Sequence, residues 1–186
     1  MLLKRDFYFV RHGQTDWNQA HRAQGQTDIP LNDEGRRQAH LAAKAAADLE
    51  IGTICSSPLA RALETAQIIQ KANGAKLEVV DDLIECSWGE REGDRRGAWY
   101  EAWKRGIETP PGAEPYEQFI ERAGKAINKA LAHAEPVLIV AHGGIYWAVQ
   151  LHATREVGSA LPNAQIVKHT APTEAHPWWQ SVSIGQ

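Results

Sequence analysis

The chain has 186 residues, of which 43% are hydrophobic, and its 20 Lys and Arg residues against 23 Asp and Glu residues leave a formal net charge of −3. This length predicts one domain, residues 1–186, with a sizeable buried core, and the lack of a lysine-rich block argues against a nucleic-acid partner. Because the sequence has no run of about 18 apolar residues and no apolar signal region before the first strand, we expect a soluble cytoplasmic protein that does not bind membranes.

The first predicted strand is the apolar, aromatic-rich run 7–10, which is followed by Arg11, His12 and Gly13. In an open parallel sheet, ligands bind beyond the carboxyl ends of the strands, so Arg11 and His12 are candidates for an active-site edge. A guanidinium beside a neutral imidazole suits a phosphate, because the arginine can bind two oxygens while a ring nitrogen attacks phosphorus. Taken alone, however, this tripeptide favours a histidine that only ends a strand.

Hydrophobic periodicity and turn residues predict the remaining elements. Residues 16–32 form a long loop that we expect to line the site, because it leaves the strand that bears His12. The further elements are, in chain order, helix 33–49, strand 53–56, helix 58–73, strand 77–80, helix 96–105, helix 115–134, strand 136–141, helix 145–151 and strands 164–168 and 179–183. The two cysteines, Cys55 and Cys86, are too few for a disulfide framework and are predicted to be buried thiols.

Ser57 and Pro58 predict a helix start, with Ser57 as the cap and Pro58 in the first helical position. Arg61 then falls in the first turn, where a cation is poorly placed near the positive end of the helix dipole unless an anion binds there too. Arg61 is therefore a candidate phosphate ligand, although a surface arginine is the commoner explanation for any single arginine.

A polar loop with two glycines follows the third strand and contains Glu85, a candidate catalytic carboxylate. The same segment interleaves three further acids with three arginines, namely Glu90, Glu92 and Asp94 with Arg91, Arg95 and Arg96. We predict a surface network of paired charges for these six residues. The opposing interpretation is that the basic cluster binds a second phosphate or carboxylate.

The strongest strand signal, residues 136–141, ends in His142, Gly143 and Gly144, much as the first strand ends in Arg11, His12 and Gly13. Two histidines are therefore predicted at equivalent strand ends. Two tryptophan pairs are predicted to pack rather than to bind ligand. Trp99 and Trp103 form a stripe on one helix, and Trp178 and Trp179 belong to the core rather than to an oligomer contact.

Strands alternate with helices from end to end, which predicts an α/β fold, with a mainly parallel central sheet covered by helices on both faces. Two arginines, two histidines and a glutamate at strand ends and helix starts favour phosphoryl chemistry. A metal site of His12, His142 and Glu85 is the main competitor, but no short-spaced ligand pair is present and Arg11 would repel a divalent cation. The sequence gives even less support for a nucleotide-binding site, since neither a Walker pattern nor Gly-x-Gly-x-x-Gly follows a strand.

Four ordered motifs, spanning roughly residues 5–145, form one larger pattern. They are Arg11-His12-Gly13-Gln14-Thr15 with Trp17-Asn18, Arg22, Gln24-Gly25, Asp28, Pro30-Leu31 and Gly35; Ser56-Ser57-Pro58-Leu59-Ala60-Arg61-Ala62 with Thr65-Ala66; Leu83-x-Glu85 with Gly89 and Glu92-Gly93; and Val140-Ala141-His142-Gly143-Gly144. This pattern resembles the histidine phosphatase superfamily, in its phosphoglycerate mutase-like branch. The chain departs from it at residues 112–115, Gly-Ala-Glu-Pro, where related phosphatases tend to show Gly-Gly-Glu-Ser, so the start of the following helix is in doubt.

The resemblance implies a phosphoglycerate mutase-like three-layer α/β/α fold and residue roles by position. His12 would be the phosphorylated nucleophile and Glu85 the proton donor, while the phosphate pocket would consist of Arg11, Arg61 and His142. Substrate contacts would come from Asn18, Gln24, Gly25 and Gly143. No metal and no organic cofactor is expected. The partner would be a small-molecule phosphate ester, bound by a monomer or homodimer.

The residues themselves predict a matching mechanism. Neutral His12 attacks phosphorus in line, the arginines and a charged His142 stabilise the equatorial oxygens, and a protonated Glu85 donates to the departing oxygen. We therefore expect a phosphomonoesterase acting on a small phosphorylated metabolite through a phosphohistidine. The alternatives are a cofactor-dependent phosphoglycerate mutase, a protein phosphohistidine phosphatase and a non-catalytic phosphate-binding module. The resemblance implies that mutases carry a larger insertion between the acid and the second histidine, where this chain is short.

Overall fold

A mixed sheet of six strands lies between two layers of helices in the computed structural model, which describes residues 1–154 and 158–185. The strands are β1 (Phe7–Arg11), β2 (Thr53–Ser56), β3 (Lys76–Val79), β4 (Val137–Ala141), β5 (Ile166–Thr170) and β6 (Gln180–Ile184). Their order across the sheet is β3-β2-β4-β1-β5-β6, with β3, β2, β4 and β1 parallel and β5 and β6 antiparallel to their neighbours. The predicted α/β fold with a mainly parallel sheet is confirmed.

The helices are α1 (Asp16–Gln19), α2 (Asp33–Ala46), α3 (Ala60–Asn73), α4 (Ala98–Lys104), α5 (Tyr116–Leu131) and α6 (Gly143–Thr154), with short 3₁₀ turns at Asp81–Leu83 and Gly89–Arg91. Successive strand residues point to opposite faces of the sheet, so each strand contributes to two cores. Val10 and Leu138 pack with the alanines of α2 and with α3, whereas Phe9 and Ile139 pack with α5 and α6. No helix in these residues is long and apolar enough to cross a membrane.

Several helix boundaries differ from the predicted ones, and for two of them, the end of α2 and the start of α3, the contacts give the reason. Helix α2 ends at Ala46, three residues before the predicted end, because the Asn73 side-chain amide donates to the carbonyls of Ala46 (3.0 Å) and Leu49 (2.9 Å) and satisfies this irregular turn. Helix α3 begins at Ala60 rather than at Pro58, and Ser57 is not its cap. The Ala60 N–H donates instead to the Asp28 carboxylate at 2.8 Å, so the preceding loop caps this helix.

The C-terminal tryptophans do not both belong to the core. Trp178 is 76% exposed, so its prediction as a core residue is wrong, whereas Trp179 packs edge-on against Phe7 at a ring distance of 5.8 Å. The chain bends at Trp178, just before β6, and only one of the two side chains reaches the core. Trp103 is buried and Trp99 packs against the same cluster, as the predicted stripe requires, and both cysteines are buried free thiols.

The register of the parallel strands brings the functional segments together. Arg11 of β1 pairs with Ala141 of β4, and the His12 N–H donates to the Ala141 carbonyl at 2.9 Å. On the other side of β4, the Ser57 N–H donates to the Val140 carbonyl at 3.0 Å. His12, His142 and Ser57 therefore meet at the carboxyl edge of the sheet, where ligands bind in open α/β folds.

Candidate active site

His12 is buried, with 3% of its surface exposed, and its Nδ1 lies 2.7 Å from the carbonyl oxygen of Gly13. A carbonyl oxygen only accepts hydrogen bonds, so Nδ1 carries the proton and Nε2 carries the free lone pair of a neutral ring. Burial, followed by the charges of Arg61 and Arg11, lowers the pKa of His12 well below its ordinary value. The structure therefore favours the neutral imidazole that nucleophilic attack requires.

Arg61 lies in the first turn of α3 and is 1% exposed. Its two terminal nitrogens donate to carbonyl oxygens of the loop between α1 and α2, Nη1 to Thr27 at 2.9 Å and Nη2 to Gly25 at 2.8 Å. Burial lowers the pKa of Arg61 to about 10, so the side chain stays cationic at neutral pH. The loop that was predicted to line the site thus fixes the guanidinium in place.

Arg11 extends from the end of β1 into the same space. Its Nη1 donates to the Leu161 carbonyl at 2.9 Å, and its buried Nε has no partner among the described residues. Burial lowers the pKa of Arg11, and the nearby charge of Arg96 lowers it further. A free N–H on a buried, crowded guanidinium is a donor available to an anion.

His142 lies against His12, with ring centroids 5.2 Å apart, and its Nε2 is 2.7 Å from the Ser57 hydroxyl. Burial, then the charges of Arg61, His12 and Arg11, lowers the pKa of His142 well below its ordinary value. Without a bound anion, desolvation and the neighbouring cations therefore both disfavour a positive charge on this ring, and the charged His142 that we expect in catalysis stays a prediction. Sequence reasoning gave Ser57 a capping role and missed its contact with this ring.

Glu85 sits at the mouth of the same space and is held by backbone donors. Its Oε1 accepts from the Cys86 N–H and its Oε2 from the Gly144 N–H, both at 3.0 Å. A Cβ atom on Gly144 would collide with Oε1 of Glu85 and press on the Phe119 ring. Glycine at position 144 is therefore needed for the close approach of the carboxylate to the start of α6.

A cavity of about 60 Å³ joins these groups. At roughly 10–15 Å³ for each water-sized group, this volume holds about four to six such groups, which is enough for the oxygen atoms of a phosphate. All the predicted site residues line this cavity except His142, which packs directly against His12; the lining members are Arg11, His12, Asn18, Gln24, Gly25, Arg61, Glu85 and Gly143.

Four buried polar atoms around this cavity have no partner in the part of the chain that the structure describes. They are Arg11 Nε, Gln24 Oε1, Arg61 Nε and His142 Nδ1. Buried polar groups are normally hydrogen-bonded, so unpaired ones at a cavity indicate a polar ligand. The oxygen of Asn18 is occupied by the Thr15 N–H at 3.1 Å, which leaves the amide nitrogen as the donor for that ligand.

Glu92 does not belong to a network of surface charges, contrary to the prediction. Its carboxylate accepts from the N–H groups of Gln26 and Thr27, both at 2.9 Å, and from the Thr27 hydroxyl. In the described residues, Arg91 and Asp94 at 3.1 Å form the one ion pair of the predicted network. Glu92 binds the N–H groups of this loop rather than an arginine, because several donors converge on its one carboxylate.

Arg96, Tyr100 and Trp147 are among the cavity-lining residues that the sequence did not place in the site. Arg96 lies over the Tyr100 ring, with its guanidinium carbon 5.4 Å from the ring centroid. The cluster of Arg91, Arg95 and Arg96 was a signal in the sequence, but the neighbouring residues do not show which of the three arginines lines the cavity.

No group of three or more His, Cys, Asp or Glu side chains in residues 1–154 and 158–185 is arranged to hold a metal ion. Each member of the competing metal set instead has its own partner: His12 contacts the Gly13 carbonyl, His142 the Ser57 hydroxyl, and Glu85 the N–H groups of Cys86 and Gly144. The cavity thus presents cationic and hydrogen-bond-donating groups, which suit an anion.

A family model described as the histidine phosphatase superfamily, branch 1, matches residues 7–177. The chain is 35% identical over 171 residues to PhoE of Bacillus subtilis (strain 168), an uncharacterised phosphatase, and the match covers 86% of this chain and 87% of that protein. It is 39% identical over 150 residues to GpmB of Proteus mirabilis (strain HI4320), a probable phosphoglycerate mutase, covering 73% of this chain and 68% of that protein.

Solved structures of both kinds superpose on the chain. A mycobacterial glucosyl-3-phosphoglycerate phosphatase in complex with VO3 matches with a TM-score of 0.80 and 27% identity, covering 96% of this chain and 97% of that one. A phosphoglycerate mutase from Thermus thermophilus matches with a TM-score of 0.74 and 29% identity, covering 98% and 99%. The fold is therefore shared by phosphatases and mutases.

Proposed function

Since this chain belongs to branch 1 of the histidine phosphatase superfamily, we propose that it is a phosphomonoesterase that hydrolyses a small phosphorylated metabolite through a phosphohistidine at His12. The observation that supports this most directly is the hydrogen bond of 2.7 Å from His12 Nδ1 to the Gly13 carbonyl, which leaves Nε2 as the nucleophile. Two guanidiniums with free Nε donors stand beside it in the described part of the chain.

In the first half-reaction, Nε2 of His12 attacks phosphorus and the ester P–O bond breaks on the opposite side. Arg11 and Arg61 bind the equatorial oxygens, whose charge also favours proton uptake by the neighbouring His142. Glu85 delivers a proton to the departing alkoxide. In the second half-reaction Glu85 takes a proton from water, the water oxygen attacks phosphorus, and the P–N bond breaks to release phosphate and restore His12.

Hydrolysis is preferred over mutase activity, although relatives of both kinds match the chain. A mutase has to keep its phosphohistidine away from water while a bisphosphate turns over. The Bacillus subtilis relative, whose match covers 86% of the chain, is named a phosphatase, whereas the match to the probable mutase covers 73%. We therefore place a phosphoglycerate mutase second.

The test combines turnover with trapping of the intermediate. Wild-type protein should release phosphate from p-nitrophenyl phosphate and form an acid-labile, base-stable phosphoryl label. The His12→Ala variant should lose both, with turnover reduced about a thousandfold or more, while the exposed-residue control His40→Ala retains both. Incubation with 3-phosphoglycerate and 2,3-bisphosphoglycerate separates the two activities: isomerisation without phosphate release from any monoester would establish a mutase and overturn the proposal.

A further inference from the structure

The phosphate cavity opens into a much larger groove. The cavity around His12 has a volume of about 60 Å³, whereas the neighbouring groove has about 710 Å³, and Arg11, Asn18 and Arg96 line both. A phosphate group fills the first space. The remainder of a substrate therefore has to extend elsewhere, and this groove is continuous with the cavity along a wall of three polar side chains.

The groove is lined by cationic and amide side chains. Among the described residues, its eight side chains are three arginines, one histidine and four amides, with no carboxylate and no apolar side chain: Arg11, Arg95, Arg96, His21, Gln14, Asn18, Gln19 and Asn163. Arginines bind carboxylates and phosphates, and amides exchange hydrogen bonds with hydroxyl groups. The chemistry of this surface therefore suits a hydroxylated anion and disfavours an apolar leaving group.

The arginines of the groove are not neutralised within the described residues. Arg91, earlier in the same segment, pairs with Asp94 at 3.1 Å, but neither Arg95 nor Arg96 has an acidic partner at ion-pair distance in residues 1–154 and 158–185. Arg96 is instead held over the Tyr100 ring, and it lies close enough to Arg11 for its charge to lower the pKa of Arg11. Two neighbouring guanidiniums that have no ion-pair partner in the described residues favour the binding of an anion.

The phosphate group of the substrate is not the anion that Arg96 would bind. In the proposed function its charge is taken by Arg11 and Arg61 inside the small cavity, where Glu85 is the one acidic residue among the described residues of the lining. Arg96 stands at the mouth, where both spaces meet, so its partner has to be a group beyond the ester oxygen.

We propose that the groove bounded by Arg95, Arg96 and His21 is a second anion subsite, and that the preferred substrates are phosphate esters of hydroxylated compounds with a further carboxylate or phosphate. This inference rests on the proposed function and names the substrate class of the same site. Arg96 is the specificity-determining residue, because it lines both spaces and, unlike Arg11, is not assigned to the phosphate group.

Two probes that differ only in the second anion provide the test. 3-Phosphoglycerate and glycerol 3-phosphate share a skeleton, and a carboxylate in the first replaces a hydroxymethyl group in the second. The wild-type kcat/KM for phosphate release should favour 3-phosphoglycerate by about tenfold or more, the size expected for one charge-assisted contact. Arg96→Gln should remove most of that preference, and Arg96→Lys should keep part of it. The matched control Arg91→Gln, already paired with Asp94, should leave it unchanged.

Three results would overturn the subsite: equal kcat/KM for the two probes in the wild type, an equal loss for both probes in Arg96→Gln, or loss of the preference in Arg91→Gln. Failure of the inference is distinguishable from failure of the proposed function. A protein that hydrolyses p-nitrophenyl phosphate and labels at His12 but shows no preference refutes the subsite alone. A protein that forms no phosphohistidine refutes both.

Discussion

At the scale of single residues, the two active-site histidines differ in their hydrogen bonds although they follow equivalent strand positions. His12 donates to a backbone carbonyl through Nδ1, whereas His142 contacts the Ser57 hydroxyl through Nε2 and has an Nδ1 without a partner in the described residues. A carbonyl fixes one tautomer, while a hydroxyl can donate or accept and leaves the second ring free to gain a proton. This difference supports nucleophilic attack by His12 and electrostatic stabilisation by His142.

Changing Glu85 to Gln is expected to separate two kinds of substrate. General acid catalysis contributes about 10²–10⁴-fold when the leaving group is a poor one, so kcat for an alkyl phosphate should fall at least about a hundredfold. p-Nitrophenolate needs little protonation, and its release should slow by less than about tenfold. The exposed neighbour Glu90 gives the control variant Glu90→Gln, which should behave as wild type with both substrates. Equal slowing of both substrates in Glu85→Gln would remove this residue from the acid role.

At the scale of elements, two loops contact each other to form the phosphate pocket. The first connects α1 to α2, and the second connects β3 to α4. The loop that follows α1 holds Arg61 through the carbonyls of Gly25 and Thr27, and Glu92 of the second loop accepts from the N–H groups of Gln26 and Thr27. Gly25 has a φ of +55°, and a Cβ there would collide with the Glu92 carboxylate. Glu92 therefore positions Arg61 indirectly, through the backbone that lies between them.

Substituting Glu92 by Gln should weaken phosphate binding without removing a group that contacts phosphate. One oxygen becomes an NH2 group that cannot accept from the loop, and a hydrogen bond to a charged group contributes about 1.5–3 kcal/mol. We expect the inhibition constant for inorganic phosphate to rise about tenfold. Asp94→Asn, which removes only the exposed pair with Arg91, is the control and should leave this constant unchanged. A normal inhibition constant in Glu92→Gln would show that Arg61 is held adequately without this contact.

At the scale of the whole molecule, the fold buries three histidines at the cost of stability in acid. The pKa values of His12 and His142 lie well below the ordinary value, and burial lowers the pKa of His169 to about 4. His169 lies outside the active site, stacked on Phe7 at 4.7 Å with its Nδ1 2.9 Å from the Ser181 hydroxyl. Below about pH 6.5 the unfolded chain therefore binds more protons than the folded chain.

The free energy of unfolding should decrease as the solution becomes more acidic. A depressed histidine pKa contributes stability that is fully present above about pH 6.5 and is lost as the pH falls toward 4. With up to three excess protons in the unfolded state, the free energy of unfolding should decrease by up to about 4 kcal/mol per pH unit between roughly pH 6 and 5. Denaturant titrations at several pH values would measure this slope. His169→Phe should reduce the slope by about a third, and a slope that stays the same would show that His169 does not contribute.

The sequence alone determined the layered α/β fold, the strand-end positions of His12 and His142 and half of the residues that line the cavity. These features follow from local patterns. Hydrophobic periodicity determines each helix and strand, and residues at the carboxyl ends of parallel strands all lie at the same edge of the sheet. The residues that the sequence identified as a site do surround one cavity. Their chemical roles stay predictions until the variants are measured.

Only the tertiary structure decided which partner each polar group takes. Ser57 meets His142 across 85 residues and Glu92 binds a loop 65 residues away, and neither separation leaves a periodic trace in the sequence. The lowered pKa of His142 likewise results from burial and from the arginines that the fold gathers around it. Arg96 lines the cavity while Arg91 pairs with Asp94, because a turn directs successive side chains to different surroundings. Hydrogen-bond competition and desolvation act through space, so they can be evaluated only once the chain has folded.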